Sequence, residues 1–249
     1  MIPESKRNYI LTLQIQRPMN IDLHSKKNKN AVQSLLAYPP MLRLILFGMC
    51  KLVTVPNNTF ANNRSLAVFS TWAPLLKDHY MEMVAALMAT DTSLVLPFAV
   101  SIFTAIAINF GPKTVCLGHR DRGNLSYGWC AVTGFGKYDY RKGGHLILWD
   151  LKLVVEMPPG CTVFLPSAII KHSNTSIGPD ETRYSIAQYT AGGLFRWVAR
   201  GFQPEYKYEE ECSDEEWDAE VKRRASRFEA GLNLFSTLSQ LQEYHENRN

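Results

Sequence analysis

The sequence predicts an α+β protein, with a centre of short β-strands forming a barrel or sandwich and helices before and after it. Three observations carry this. Between residues 113 and 190, short apolar runs alternate with turn signals such as Gly134-Phe135-Gly136, Gly143-Gly144 and Pro158-Pro159-Gly160; that spacing suits an all-β unit and not βαβ repeats. Upstream, Leu76, Tyr80, Val84 and Leu87 fall on one helical face behind Ser70-Thr71-Trp72-Ala73-Pro74, which offers a hydroxyl cap and an early proline. Downstream, Ser213 and Glu216 have the spacing of a capping box, and apolar residues from Trp217 to Leu241 recur every three or four positions.

Taken in order, residues 1–68 read as a basic and helical extension packed on the core. Lys26-Lys27-Asn28-Lys29 is a loop cluster, and 31–54 form two short helices divided by Pro39-Pro40. Residues 69–204 hold the supporting helix and the β core. The uncharged stretch 94–110 contains Pro97, Ser101, Thr104 and Asn109, with β-branched and small residues alternating over 100–108; it reads as a buried strand and not a membrane span. Further strands are expected at 114–117, 127–133, 145–149, 152–157, 161–165, 168–171 and 184–189. Residues 205–249 are an acidic linker and one amphipathic helix, bent near Gly231, which docks on the body or pairs two copies of an otherwise monomeric chain.

Composition excludes several classes. The 249 residues are 46% apolar and 20% charged, which is globular and not disordered. Five cysteines without a CxxC pair or a secretory signal point to free thiols in a reducing intracellular compartment. The net charge of +4 divides into about +10 over residues 1–204 and −6 over the remainder. Such a basic body suits a polyanionic partner, and equally an ordinary solvated surface with an acidic terminal helix.

The chemistry concentrates at His119-Arg120-Asp121. On an extended segment His119 and Asp121 point the same way, and His172, from a later strand, supplies a third ligand. Two imidazoles and one carboxylate on one face of a metal leave positions open for substrate and oxygen, as non-haem Fe(II) oxygenases require. Arg183 and Ser185 alternate onto one strand face and can hold a carboxylate, which suggests iron with 2-oxoglutarate as co-substrate and O2 as oxidant. Other roles stay open: Asp121 capping a turn, His172 as a bonded core residue, Arg183 paired with Glu181 or Asp180.

Several stretches together resemble the TET/JBP dioxygenases, particularly the set of mushroom-forming fungi. They are Asn109-Phe110-Gly111-Pro112, His119-Arg120-Asp121-Arg122-Gly123-Asn124, Lys142-Gly143-Gly144-His145-Leu146, Pro166-Ser167-Ala168, His172-Ser173-Asn174, Glu181-Thr182-Arg183-Tyr184-Ser185 and Gln188-Tyr189-Thr190-Ala191-Gly192-Gly193. The resemblance spans roughly residues 69–202. It implies a double-stranded β-helix that oxidises a methyl group on a nucleobase in DNA, 5-methylcytosine first and N6-methyladenine next, within the nucleus. His119, Asp121 and His172 are then the iron ligands, and Arg183 and Ser185 the co-substrate clamp. Related oxygenases place an amide or arginine about ten residues before the first histidine, which implies that Asn109 holds the other end of 2-oxoglutarate; the arginine that some relatives have a few residues before that histidine is missing here. Asn124, Arg120 and Arg122 reach the substrate, and Lys113, Lys137, Arg141, Lys142, Arg196 and Arg200 flank the site in sequence, able to meet phosphates. Three rival readings are an inactive DNA- or partner-binding relic, a zinc or manganese enzyme on a similar barrel, and an oxygenase of RNA or protein.

Overall fold

The computed structural model describes residues 14–15, 60–98 and 101–247, with side chains from residue 66 onward. The basic cluster at 26–29 and the two helices expected over 31–54 lie outside the described residues.

The chain is α+β. Strands β1 (Gln14–Ile15), β2 (Ala105–Asn109), β3 (Cys130–Lys137), β4 (Leu146–Leu148), β5 (Leu153–Val155), β6 (Thr162–Leu165), β7 (His172–Asn174) and β8 (Thr182–Tyr189) build two sheets. The larger has the order β1-β2-β8-β3-β6 and the smaller β5-β4-β7. All pairings are antiparallel except β1 with β2. Helices α1 (Phe60–Trp72) and α2 (Pro74–Thr90) lie between β1 and β2, and α3 (Gly192–Ala199), α4 (Glu205–Glu211), α5 (Asp214–Leu232) and α6 (Leu238–Glu246) follow β8.

Alternation along β3 and β6 makes the large sheet two-faced. Ala131 and Phe164 join a cluster with Phe69, Leu76, Tyr80, Phe103 and Trp129 on the helical side. Their neighbours Cys130, Val163 and Leu165 turn the other way, onto Leu146, Leu148 and Met157 around the small sheet. A strand buried on both faces has no polar side to show, which explains the continuous apolar runs in these segments. Phe69 is the hub of the helical side, with Trp129, Phe103, Phe164 and Tyr80 rings at 5.1–5.7 Å, separations at which edge-on aromatic contact is favourable.

Several local expectations are corrected. Residues 114–117 form no regular strand: the Asn174 side chain takes the place of a ladder partner, accepting from Cys116 N (2.8 Å) and donating to Thr114 O (3.0 Å). Residues 168–171 form a turn, because Ile169 N and Ile170 N both donate to Pro166 O; the strand begins only at His172. No hydroxyl caps α2, whose N-cap is Ala73. Thr71 lies inside the preceding helix and donates instead to Ala67 O. The C-terminal helix expected as one bent rod is two. Its capping box is present, with Ser213 accepting from Glu216 N at 3.2 Å and Glu216 accepting from Ser213 N at 2.8 Å. At Gly231, however, α5 lies so close to the Tyr127 ring that a Cβ would collide with it. A second capping box, Thr237 with Gln240, starts α6 afresh. No described helix is long and apolar enough to cross a membrane.

Candidate metal centre and its cavity

His119 and His172 are brought together by the main chain. His119 N donates to His172 O (3.0 Å) and His172 N to His119 O (2.9 Å), an isolated antiparallel bridge that extends the small sheet past β7. Residues exchanging both backbone bonds stand directly opposite, with side chains on one face, and here the two imidazole centroids are 4.4 Å apart. Asp121 follows two positions after His119. Its N–H donates to Ser167 O at 2.9 Å, and its carboxylate lies 3.4 Å from His119 Nε2 and 3.9 Å from His172 Nε2. All ligand atoms of the three fall within 4.8 Å of one another.

The ring nitrogens are already sorted. Nδ1 of His119 is 2.7 Å from Leu117 O, and Nδ1 of His172 is 2.9 Å from Ile170 O. A carbonyl only accepts, so in the neutral rings each Nδ1 carries the proton and each Nε2 has a lone pair for a metal, whereas a protonated His119 donates from Nε2 to Asp121. Burial lowers the His172 pKa and so favours its neutral form. The Asp121 hydrogen bond raises that of His119 against burial. For Asp121, burial pushes up, but the His119 hydrogen bond and the neighbouring His172 outweigh it and hold the carboxyl below its ordinary value. An ionised carboxylate with two lone pairs aimed alongside is a donor set for a divalent ion of borderline softness.

The other wall belongs to the large sheet. On β8, Arg183 and Ser185 face the same side two residues apart, and Ser185 stands opposite Asn109 of β2. Asn109 Nδ2 donates to Ser185 Oγ at 3.0 Å, so Asn109 stands beside Ser185 on the large-sheet wall. Arg183 is 3% exposed. Among the described residues its Nε has no hydrogen-bond partner, nor has Asn109 Oδ1, and Arg183 has no carboxylate partner; Glu181 instead accepts from Asp139 N and Gly178 N. A buried guanidinium without a counter-charge is costly and marks a place for an anion. Tyr138, next to Arg183 across Gly144, donates to Met157 O. Burial raises its pKa while Arg183 opposes the rise.

One cavity of about 390 Å³ is lined by both groups: His119, Asp121 and His172 on one side, Asn109, Arg183 and Ser185 on the other. Asn124 and Arg122 also line it. Asn124 bridges Asp121 Oδ2 (3.4 Å) and Ser167 Oγ (3.0 Å), so it orients the acid. Arg120 does not reach the cavity lining: its guanidinium binds both Asp150 oxygens at 2.9 and 3.1 Å and Ile169 O at 2.8 Å. Sequence reasoning passed over Asn174 and Ser167 as site residues. Asn174 had a usable signal, since it lies two residues after His172 on a strand and therefore on its face.

No protein-family model matches the chain, and no curated protein matches it. Among solved structures it is similar to NgTET1 in complex with 5mC DNA, at 19% identity over 38% of this chain and with a TM-score of 0.32. The chain spans 36% of the length of that structure.

Proposed function

We propose that the chain is an Fe(II)- and 2-oxoglutarate-dependent dioxygenase, built on a double-stranded β-helix, that oxidises a methyl group on a nucleobase in DNA in the nucleus. The observation that carries the oxygenase reading is one cavity holding two opposed features. Two histidines and a carboxylate stand on one wall, and a buried arginine without a carboxylate partner among the described residues stands on the other. The nucleobase substrate rests on the sequence resemblance and on the basic character of residues 1–204.

The donor set fits ferrous iron, and the Arg183 guanidinium with Ser185 Oγ fits the far carboxylate of a five-carbon diacid. Bound there, Fe(II) and 2-oxoglutarate supply oxidation of a C–H bond by O2, coupled to decarboxylation of the co-substrate to succinate and CO2. The protein's contribution is placement. The backbone bridge fixes the spacing of His119 and His172, Asn124 and Ser167 hold Asp121, and Arg183 anchors the co-substrate from the dry side. Arg122 and Asn124 line the substrate side, where a flipped base would enter.

Anaerobic addition of Fe(II) and 2-oxoglutarate is expected to produce a visible charge-transfer band. Air is then expected to yield succinate and, by nucleoside mass spectrometry, oxidised base in a methylated oligonucleotide. A colourless mixture favours a non-catalytic relic. Substrate turnover without succinate favours a zinc or manganese enzyme, and oxidation confined to RNA or peptide moves the substrate assignment. Persistent turnover in His119→Ala, Asp121→Ala and His172→Ala alike would falsify the metal assignment.

A further inference from the structure

A second cavity, of about 620 Å³, adjoins the first and shares Arg122 and Asn124 with it. It lies where α2, α3 and α5 meet the 122–127 segment. Its charged lining is four arginines, Arg122, Arg196, Arg223 and Arg227, against a single acid, Glu82. The floor is aromatic: His79 stacks on Phe195 at 4.9 Å and 23°, and its Nε2 is 3.2 Å from Tyr127 Oη.

The arginines are held from behind. Glu220, 2% exposed, accepts from Arg200, Arg223, Arg224 and Arg227. One carboxylate shared by four guanidiniums fixes Arg223 and Arg227 at the cavity wall without neutralising them. Arg196 and Arg122 are exposed and have no acid partner among the described residues. Burial, with the nearby Arg196, Arg223 and Arg200 charges, depresses the Arg227 pKa although Glu220 opposes this, as expected where positive charge is in surplus. The first residue of α3, Gly192, also lines the cavity, so the positive end of that helix dipole adds to the same field.

We propose that this second cavity binds a backbone phosphate of the nucleic-acid strand whose base enters the metal cavity. Guanidinium forks match phosphate oxygens in geometry and charge. The shared wall of Arg122 and Asn124 makes phosphate and base two parts of one ligand, and the His79–Phe195–Tyr127 floor accepts the apolar face of a neighbouring sugar or base. The strand assignment rests on the nucleobase reading of the first cavity, while its test needs no turnover.

The test is fluorescence anisotropy of a labelled, unmethylated oligonucleotide with the iron-free full chain over a range of salt, comparing wild type, Arg196→Gln and Arg196→Glu/Ser226→Glu. Ser226 lines the cavity and bonds only back to its own helix, so the double variant reverses charge without touching the Glu220 group. Binding is expected to fall about tenfold or more in the double variant, and the salt slope to shrink by about one per arginine removed. The anaerobic Fe(II)/2-oxoglutarate band is expected to stay unchanged. Wild-type affinity and slope in both variants would overturn the proposal, as would absence of oligonucleotide binding by the wild type. Saturable binding of thymidine 5′-phosphate that is lost in the double variant, with oligonucleotide binding intact, would assign the cavity to a small phosphorylated ligand and overturn the strand assignment. Reduced oligonucleotide binding in the variants of a protein that turns over no methylated base would leave the phosphate site standing and remove the function proposed for its neighbour.

Discussion

At the scale of single residues, the alternation of side chains on extended backbone did most of the predictive work. It placed His119 with Asp121, and Arg183 with Ser185, before any coordinates. What it missed was Ser167 behind Asp121, because that contact joins segments far apart in sequence; Asn124, expected to reach the substrate, bonds the Asp121 carboxylate as well as lining the cavity. Nearness in sequence, a weaker guide, grouped Arg200 with the phosphate-facing cations, whereas Arg200 is buried against Glu220, twenty positions away, and against Glu205. Two predictions belong here. Arg183→Ala is expected to raise the 2-oxoglutarate requirement far more than the DNA requirement, measured as the two KM values; equal effects count against the clamp role. Asn124→Ala is expected to weaken Fe(II) binding by about 10–100-fold, the usual cost of losing a group that orients a ligand, read by metal titration without substrate.

At the scale of elements, short-range signals succeeded where the cause was local and failed where it was tertiary. The Ser213 capping box was legible, because a hydroxyl and a glutamate three residues apart satisfy each other's backbone. The division of α5 from α6 was not, since it depends on Gly231 meeting Tyr127 across the fold. The strand expected at 168–171 failed because Pro166 O draws two N–H groups into a turn that apolar composition does not reveal. Ser213→Ala is expected to cost about 1 kcal/mol. Gly231→Ala, although it raises helix propensity, is expected to destabilise by about 1–3 kcal/mol because the methyl must displace a packed ring. Urea denaturation of both variants gives the comparison, and a Gly231→Ala protein as stable as wild type would show that α5 is free to move away from Tyr127.

At the scale of the whole molecule, the two-faced large sheet separates tasks: helices close one side, and the small sheet with its cavity closes the other. Charge ties the C-terminal helices to this body through Glu220. Burial pushes its carboxyl upward, but hydrogen bonds from Arg223 and Arg224 and the charges of Arg223 and Arg200 outweigh burial and bring the pKa to about 2 from an ordinary 4.5. A folded-state value below the unfolded one means that the stabilisation is complete above about pH 5. It is lost as pH falls through 4.5 toward 2 and amounts to roughly 3 kcal/mol. Glu220→Gln is therefore expected to melt well below wild type at pH 7, with the gap narrowing steadily toward pH 3 in thermal scans. Ligand linkage gives a second test at this scale: Fe(II) at about a hundredfold over its dissociation constant is expected to add about 2.7 kcal/mol, roughly 5–10 °C in Tm for a chain of this size, and nothing in His119→Ala.

The mutual main-chain clasp between His119 and His172 also bears on how such a protein is handled. Peptide groups, and not the ion, keep the two rings side by side, so stripping with a chelator should leave the mould intact. Batches purified without iron should regain full competence on reconstitution within mixing time, with no refolding lag.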